Sequence, residues 1–132
     1  MAEKVSKKVD GIITEIGRKY GAFCAYKIQR QIGGTEVFQI AFIFDNGCGE
    51  EKFHKIFSDL SEKLCTPHIE LIILNTAPPT ISYIILKDGK EVYCDNKEKL
   101  KSFKAKITEQ YLDFRNEVRG HTEVSLKKTG NI

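Results

Sequence analysis

The spacing of apolar positions changes several times along the chain, and each change marks an element. Val5, Val9, Ile12, Ile13 and Ile16 recur three and four residues apart, so they share one stripe of a first helix. That pattern stops at Tyr20-Gly21, where glycine suits the left-handed position that follows a helix. From Ala22 to Ile32 the period shortens to about two: Phe23, Cys24, Tyr26, Ile28 and Ile32 are interleaved with Lys27, Gln29 and Gln31. Gly33-Gly34 follows, and then Thr35–Phe44 (TEVFQIAFIF), rich in β-branched and aromatic residues. Two strand-like runs on either side of Gly-Gly predict a β-hairpin. Asp45-Asn46-Gly47 ends the second strand with turn chemistry.

Phe53, Ile56, Phe57, Leu60 and Leu64 return to helical spacing, with Glu50 and Glu51 in the electropositive first turn. Pro67 breaks the chain. Residues 68–75 (HIELIILN) are almost continuously apolar, which predicts a central strand covered on both faces. Pro78-Pro79 opens a short helix through Ile81, Ile84 and Ile85, closed by Asp88-Gly89, and residues 91–94 suit a short edge strand. Asp95 or Asn96 caps a long helix carrying Leu100, Phe103, Ile107, Tyr111, Phe114 and Val118. Residues 121–132 have no period and predict a flexible C-terminal tail beyond a domain spanning 1–120. The order of elements implies an α/β (α+β) domain: a mixed sheet with an N-terminal helix, a β-hairpin and a long C-terminal helix.

Composition narrows the function more by exclusion than by suggestion. The 132 residues suffice for one domain, and no apolar run approaches the roughly 20 residues of a membrane-spanning helix. The N-terminus enters a helical pattern with no signal-peptide core, so a cytoplasmic protein is expected. Cys24, Cys48, Cys65 and Cys94 are scattered, as expected of free, mostly buried thiols. A net charge of +3 is too mild for a nucleic-acid binder, and the lysines between 97 and 106 suit a solvated helix face.

Local constellations add little. Cys65-Thr66-Pro67-His68 has a metal-like spacing but no second ligand pair, and no group is placed to orient a Cys–His nucleophile. Tyr83, Tyr93, Tyr111 and Phe114 fall on apolar stripes and read as core rather than as a base-stacking platform. Glu50 and Glu51 after the Asp45-Asn46-Gly47 turn would repel a phosphate.

The run Ile69-Glu70-Leu71-Ile72-Ile73-Leu74-Asn75-Thr76-Ala77-Pro78-Pro79 precedes Tyr83-Ile84-Ile85-Leu86-Lys87-Asp88-Gly89-Lys90-Glu91-Val92-Tyr93. Further on comes Tyr111-Leu112-Asp113-Phe114. In this order the motifs resemble the C-terminal half of the minimal nucleotidyltransferases of the DNA polymerase β superfamily, which are often antitoxin partners of HEPN-domain toxins. The resemblance covers residues 69–114 and implies a nucleotidyltransferase-like fold. It also implies, for active members, a Gly-Ser turn that closes on the triphosphate, an Asp-x-Asp pair, and a third acid. These acids would hold two divalent ions.

Aligned on that resemblance, the two aspartates fall on Val37 and Gln39, the Gly-Ser pair falls near Ala25-Tyr26, and Glu70 alone stands at the third acid. The expectation is therefore a degenerate member with no catalytic, nucleotide-binding or metal residues, in which Glu70 is a remnant carboxylate set within an apolar strand. No cofactor is expected. By family analogy such a protein acts by binding a partner, either a HEPN-like toxin masked as by an antitoxin or a second copy of itself. Phe38, Ile40, Phe42 and Phe44 share one hairpin face and form a candidate partner surface if no helix covers them. Two alternatives stay open: an active, Mg²⁺- and ATP-dependent nucleotidyltransferase with a rearranged site, and a scaffold or oligomerisation module.

Overall fold

The computed structural model describes residues 2–121, with side-chain environments for residues 7–116. Eight elements follow one another: α1 (Ala2–Lys19), β1 (Ala22–Ile32), β2 (Thr35–Phe44), α2 (Glu50–Leu64), β3 (Ile69–Ile73), α3 (Pro79–Asp88), β4 (Lys90–Cys94) and α4 (Lys97–His121). The sheet order is β3-β2-β1-β4. β1 runs antiparallel to both β2 and β4, whereas β2 and β3 are parallel and joined through α2.

The hairpin forms where the alternation places it. Gly33 (φ +58°) and Gly34 (φ +82°) both occupy the left-handed region, the requirement of the tight turn whose twist matches the flanking strands. Pairing runs from Ile32↔Thr35 down to Ala25↔Phe42. β3 covers only Phe38–Phe42 of β2, and β4 covers only Cys24–Lys27 of β1. Residues 28–37 therefore extend past both edge strands as a two-stranded arm.

Strand alternation sorts the core into two layers. Ala25, Phe38, Ile40, Phe42 and Phe44 meet Val9, Ile13 and Ile16 of α1 and Ile56 and Leu60 of α2. On the other side Cys24, Tyr26, Ala41 and Ile43 meet Ile85 of α3 and Leu100 of α4. α1 lies so close that a Cβ at Gly17 would collide with the Tyr93 hydroxyl and the Phe42 ring. Below α1, Lys27 is 5% exposed and donates to Asp10 at 2.6 Å, while Lys90 donates to the same carboxylate at 3.0 Å. Asn96 caps α4 by accepting the Lys99 amide at 3.0 Å.

Three expectations need correcting. Phe38, Ile40, Phe42 and Phe44 are buried, not exposed, because α1 and the β2–β3 crossover helix α2 both lie on their face. β3 is an edge strand, with Ile69, Leu71 and Ile73 buried, Ile72 half-buried and Glu70 exposed. Its apolar run looked two-sided because Leu74, just past the strand, is fully buried in the opposite layer. Of the four cysteines only Cys24 is buried; Cys48 and Cys94 are half-buried and Cys65 is exposed. α4 is described through Gly120 to His121, and the rest of the tail expected from 121 to 132 lies outside the described residues. Among the described residues no helix is long and apolar enough to cross a membrane.

Candidate functional site

Parallel pairing sets Gln39 of β2 directly beside Glu70 of β3. Both alternate with residues buried against α1 and α2, so both lie on the α3/α4 side of the sheet, as does Val37 two residues earlier. The three positions expected to carry acids thus meet on one sheet face. Their chemistry is nevertheless that of a single carboxylate. Gln39 Nε2 donates to Glu70 Oε1 at 3.0 Å, so the amide turns a donor where a cation would need an oxygen. Val37 offers no ligand atom. Glu70 is exposed, so water rather than burial sets its surroundings, and no desolvated remnant carboxylate is present. These residues do not fit a pair of divalent ions. Among the described residues no group of three His, Cys, Asp or Glu side chains could hold a metal.

Ala25 and Tyr26, where the Gly-Ser turn would stand, lie in mid-strand opposite Phe42 and Ala41, and both are buried. Their backbone is engaged in the sheet, with no loop to approach a phosphate.

The Leu-Asn-x-Ala-Pro-Pro run has a structural task at the carboxyl end of β3. Leu74 N donates to Phe42 O at 3.0 Å, continuing the β2–β3 ladder. The Asn75 amide then clamps Phe44, accepting its N–H at 2.8 Å and donating to its carbonyl at 2.6 Å. Pro78 precedes α3, its carbonyl accepting from Ile81 and Ser82, while Ser82 Oγ reaches back to Leu74 O at 3.3 Å. A cavity of about 430 Å³ opens beside this junction, bounded by Phe23, Phe44, Asp45, Asn75, Lys99 and Phe103. Lys99 and Asp45 are paired with each other across it.

The remaining sequence candidates stay apart. Cys65 and His68 are both exposed in the α2–β3 connection, where Cys65 ends α2 with φ +56°. Tyr83 and Tyr111 stack at 4.2 Å and lock α3 to α4. The pattern missed which apolar residues stay outside. Ile32 at the hairpin tip is 61% exposed, and Ile81 and Ile84 on α3 and Leu112 and Phe114 on α4 are also open. Periodicity reports a stripe, but not whether the partner element extends far enough to cover it; α3, at 10 residues, is much shorter than α4 at 25.

No family model and no curated protein matches the chain. Solved structures do. A chain of the complex between a tri-AMPylated Shewanella oneidensis HEPN toxin and an MNT antitoxin aligns with a TM-score of 0.73 at 14% identity, over 89% of this chain and 96% of that one. A chain of a toxin–antitoxin crystal structure with AMP-PNP gives 0.75 at 14% identity, over 89% and 98%. The MntA–HepT toxin–antitoxin structure gives 0.73 at 13%, over 89% and 97%. At this identity the likeness is one of fold, and the fold is nucleotidyltransferase-like: a mixed sheet with an N-terminal helix and a long C-terminal helix.

Proposed function

We propose that this chain is a catalytically degenerate nucleotidyltransferase-fold protein that works by binding another protein, an antitoxin-like partner for a HEPN-type toxin that it masks rather than modifies. The observation that carries the reading is the Gln39–Glu70 hydrogen bond. It occupies the place of the acid cluster with one amide and one hydrated carboxylate, and Val37 completes the set without a ligand. The partner class is supported by the solved complexes of the same fold, which are toxin–antitoxin pairs. Apolar area for contact is open at Ile81 and Ile84 of α3 and at Ile32 of the arm.

A second reading, AMP transfer by a rearranged site, is favoured by the AMPylated toxin and the AMP-PNP in those complexes. It requires carboxylates other than Glu70 at the metal positions, and among the described residues none gathers there.

The test is co-expression of the tagged chain with a HEPN-type protein from the same cells, small, all-helical and carrying an Arg and a His a few residues apart. The complex is then purified in the presence of labelled ATP and Mg²⁺. A stable, unlabelled complex with the toxin silenced is expected. Label on the toxin that disappears with Glu70→Ala would replace this reading with the second, and a monomer that never retains the helical protein would sink both.

A further inference from the structure

Two of the four cysteines lie on adjacent strands at one register position: Cys24 of β1 faces Cys94 of β4. The kind of pairing follows from the neighbouring bond. Asp95 N donates to Phe23 O at 2.7 Å, so residues 23 and 95 are the hydrogen-bonded pair and 24 and 94 the non-hydrogen-bonded pair beside it. Cα atoms in such a pair stand about 4.5 Å apart, within the roughly 4.4–6.8 Å that a disulfide spans. Both side chains belong to the same layer, Cys24 fully buried and Cys94 packed against that cluster but half-buried.

We propose that Cys24 and Cys94 form a reversible disulfide joining β1 to β4 when the protein meets a hydroperoxide. Cys94 is the more exposed of the two, and its sulfur attacks the peroxide. A sulfur–oxygen bond forms, the O–O bond breaks, and the alcohol or water departs with the Cys94 proton, leaving a sulfenic acid. Cys24 sulfur then attacks Cys94 sulfur. The S–S bond forms, the S–O bond breaks, and the Cys24 proton leaves with the departing hydroxide as water. Two electrons pass from the thiol pair to the peroxide. Burial, and then the neighbouring Cys94, push the Cys24 thiol well up, which suits a resolving thiol that reacts only with a partner already in place. Glu91 opposes ionisation of Cys24 and the Lys97 ammonium favours it. The bond would tie down β4, the strand that leads through Asp95 and Asn96 into α4, and close a long loop against unfolding.

Tryptic cleavage at Lys19, Lys27, Lys90 and Lys97 isolates the two cysteines in peptides 20–27 and 91–97. The experiment treats the full chain, and a Cys48→Ser/Cys65→Ser variant, with hydrogen peroxide and maps peptides without reductant. A linked 20–27/91–97 species that dithiothreitol separates is expected in both proteins. The melting temperature should rise on oxidation and fall back on reduction, with no such shift in Cys94→Ser. Absence of the linked species at peroxide levels that fully oxidise exposed Cys65 would overturn the proposal. So would Cys94 proceeding to sulfinic acid while Cys24 remains a thiol.

Discussion

A glutamine amide beside a glutamate is a small arrangement that decides the chemistry of a whole face. Gln39 satisfies one Glu70 oxygen with a hydrogen bond, and the pair is stable without a metal because Glu70 remains in water. Three carboxylates at the same positions would repel one another until a cation joined them. Val37→Asp/Gln39→Asp is therefore expected to gain saturable Mn²⁺ binding by calorimetry, and to melt higher with Mn²⁺ present. The parent should show neither; saturable Mn²⁺ binding by the parent that vanishes with Glu70→Ala would contradict the degenerate reading. The identity of the residues at 37 and 39 was legible in the sequence, and so was the vacancy of acid there. The hydrogen bond was not, because it depends on β2 and β3 pairing in parallel at that register. Asp10 carries a second prediction. Burial would raise its carboxyl, but hydrogen bonds and charge from Lys27 and Lys90 outweigh that and hold it below the ordinary carboxylate value. A folded-state value below the unfolded one contributes stability that is present above the unfolded pKa of about 3.9 and lost as pH falls through the folded one. Asp10→Asn should flatten the loss of stability below about pH 4. Asp10→Ala should cost about 2–3 kcal/mol at neutral pH by denaturant unfolding, since it takes a carboxylate from a buried lysine. That is less than for a fully buried pair, because the Asp10 side chain stays 21% exposed.

Elements show where pattern reasoning succeeds and where it stops. The hairpin was readable to its ends because turn chemistry and period two agreed, and β1 and β2 run on both sides of Gly33-Gly34 as the alternation requires. Neither turn glycine has a neighbour that a Cβ would meet, so the cost of a side chain there is the backbone alone. Gly34→Val is expected to cost about 1–2 kcal/mol through its left-handed φ, while Gly33→Asn should be nearly neutral. Denaturant midpoints check both; an undisturbed Gly34→Val would mean that the turn can take another form. The layer above the phenylalanines was not readable. Alternation states that Phe38, Ile40, Phe42 and Phe44 share a face, and only the packing of α1 and α2 states that it is the inner one. The same ambiguity made β3 look central. Two apolar faces in a short strand arise equally from burial on both sides and from an edge strand whose next residue, Leu74, turns into the other layer.

At the scale of the whole molecule, the C-terminal motifs and the N-terminal hairpin are separable. The Leu-Asn-x-Ala-Pro-Pro run joins β3 to α3 and clamps the end of β2, a task set by the packing of this chain and not by any reaction. That is why the fold was recognisable from residues 69–114 alone. The stretch where the resemblance would place the nucleotide is one continuous hairpin, its backbone paired from Ala22 to Phe44 except at the turn and at an irregularity near Cys24. A triphosphate needs unpaired backbone N–H groups converging from a loop or helix start, and two-metal transfer needs acids that fix both ions. Contributions of this kind reach several kcal/mol each, so a site with neither has little to build on. The chain is therefore expected to bind Mg²⁺-ATP weakly or not at all and to transfer no nucleotide. Isothermal titration with ATP and Mg²⁺ or Mn²⁺, alongside an assay with labelled ATP and the helical partner, checks this. Micromolar binding without transfer would mean that ATP is held elsewhere, and competition with a Phe103→Ala or Lys99→Ala variant would then ask whether the cavity beside Phe23 and Asn75 is the place. Transfer that survives Glu70→Ala would mean that acids outside this sheet face hold the metal, and the degenerate reading would fall with it.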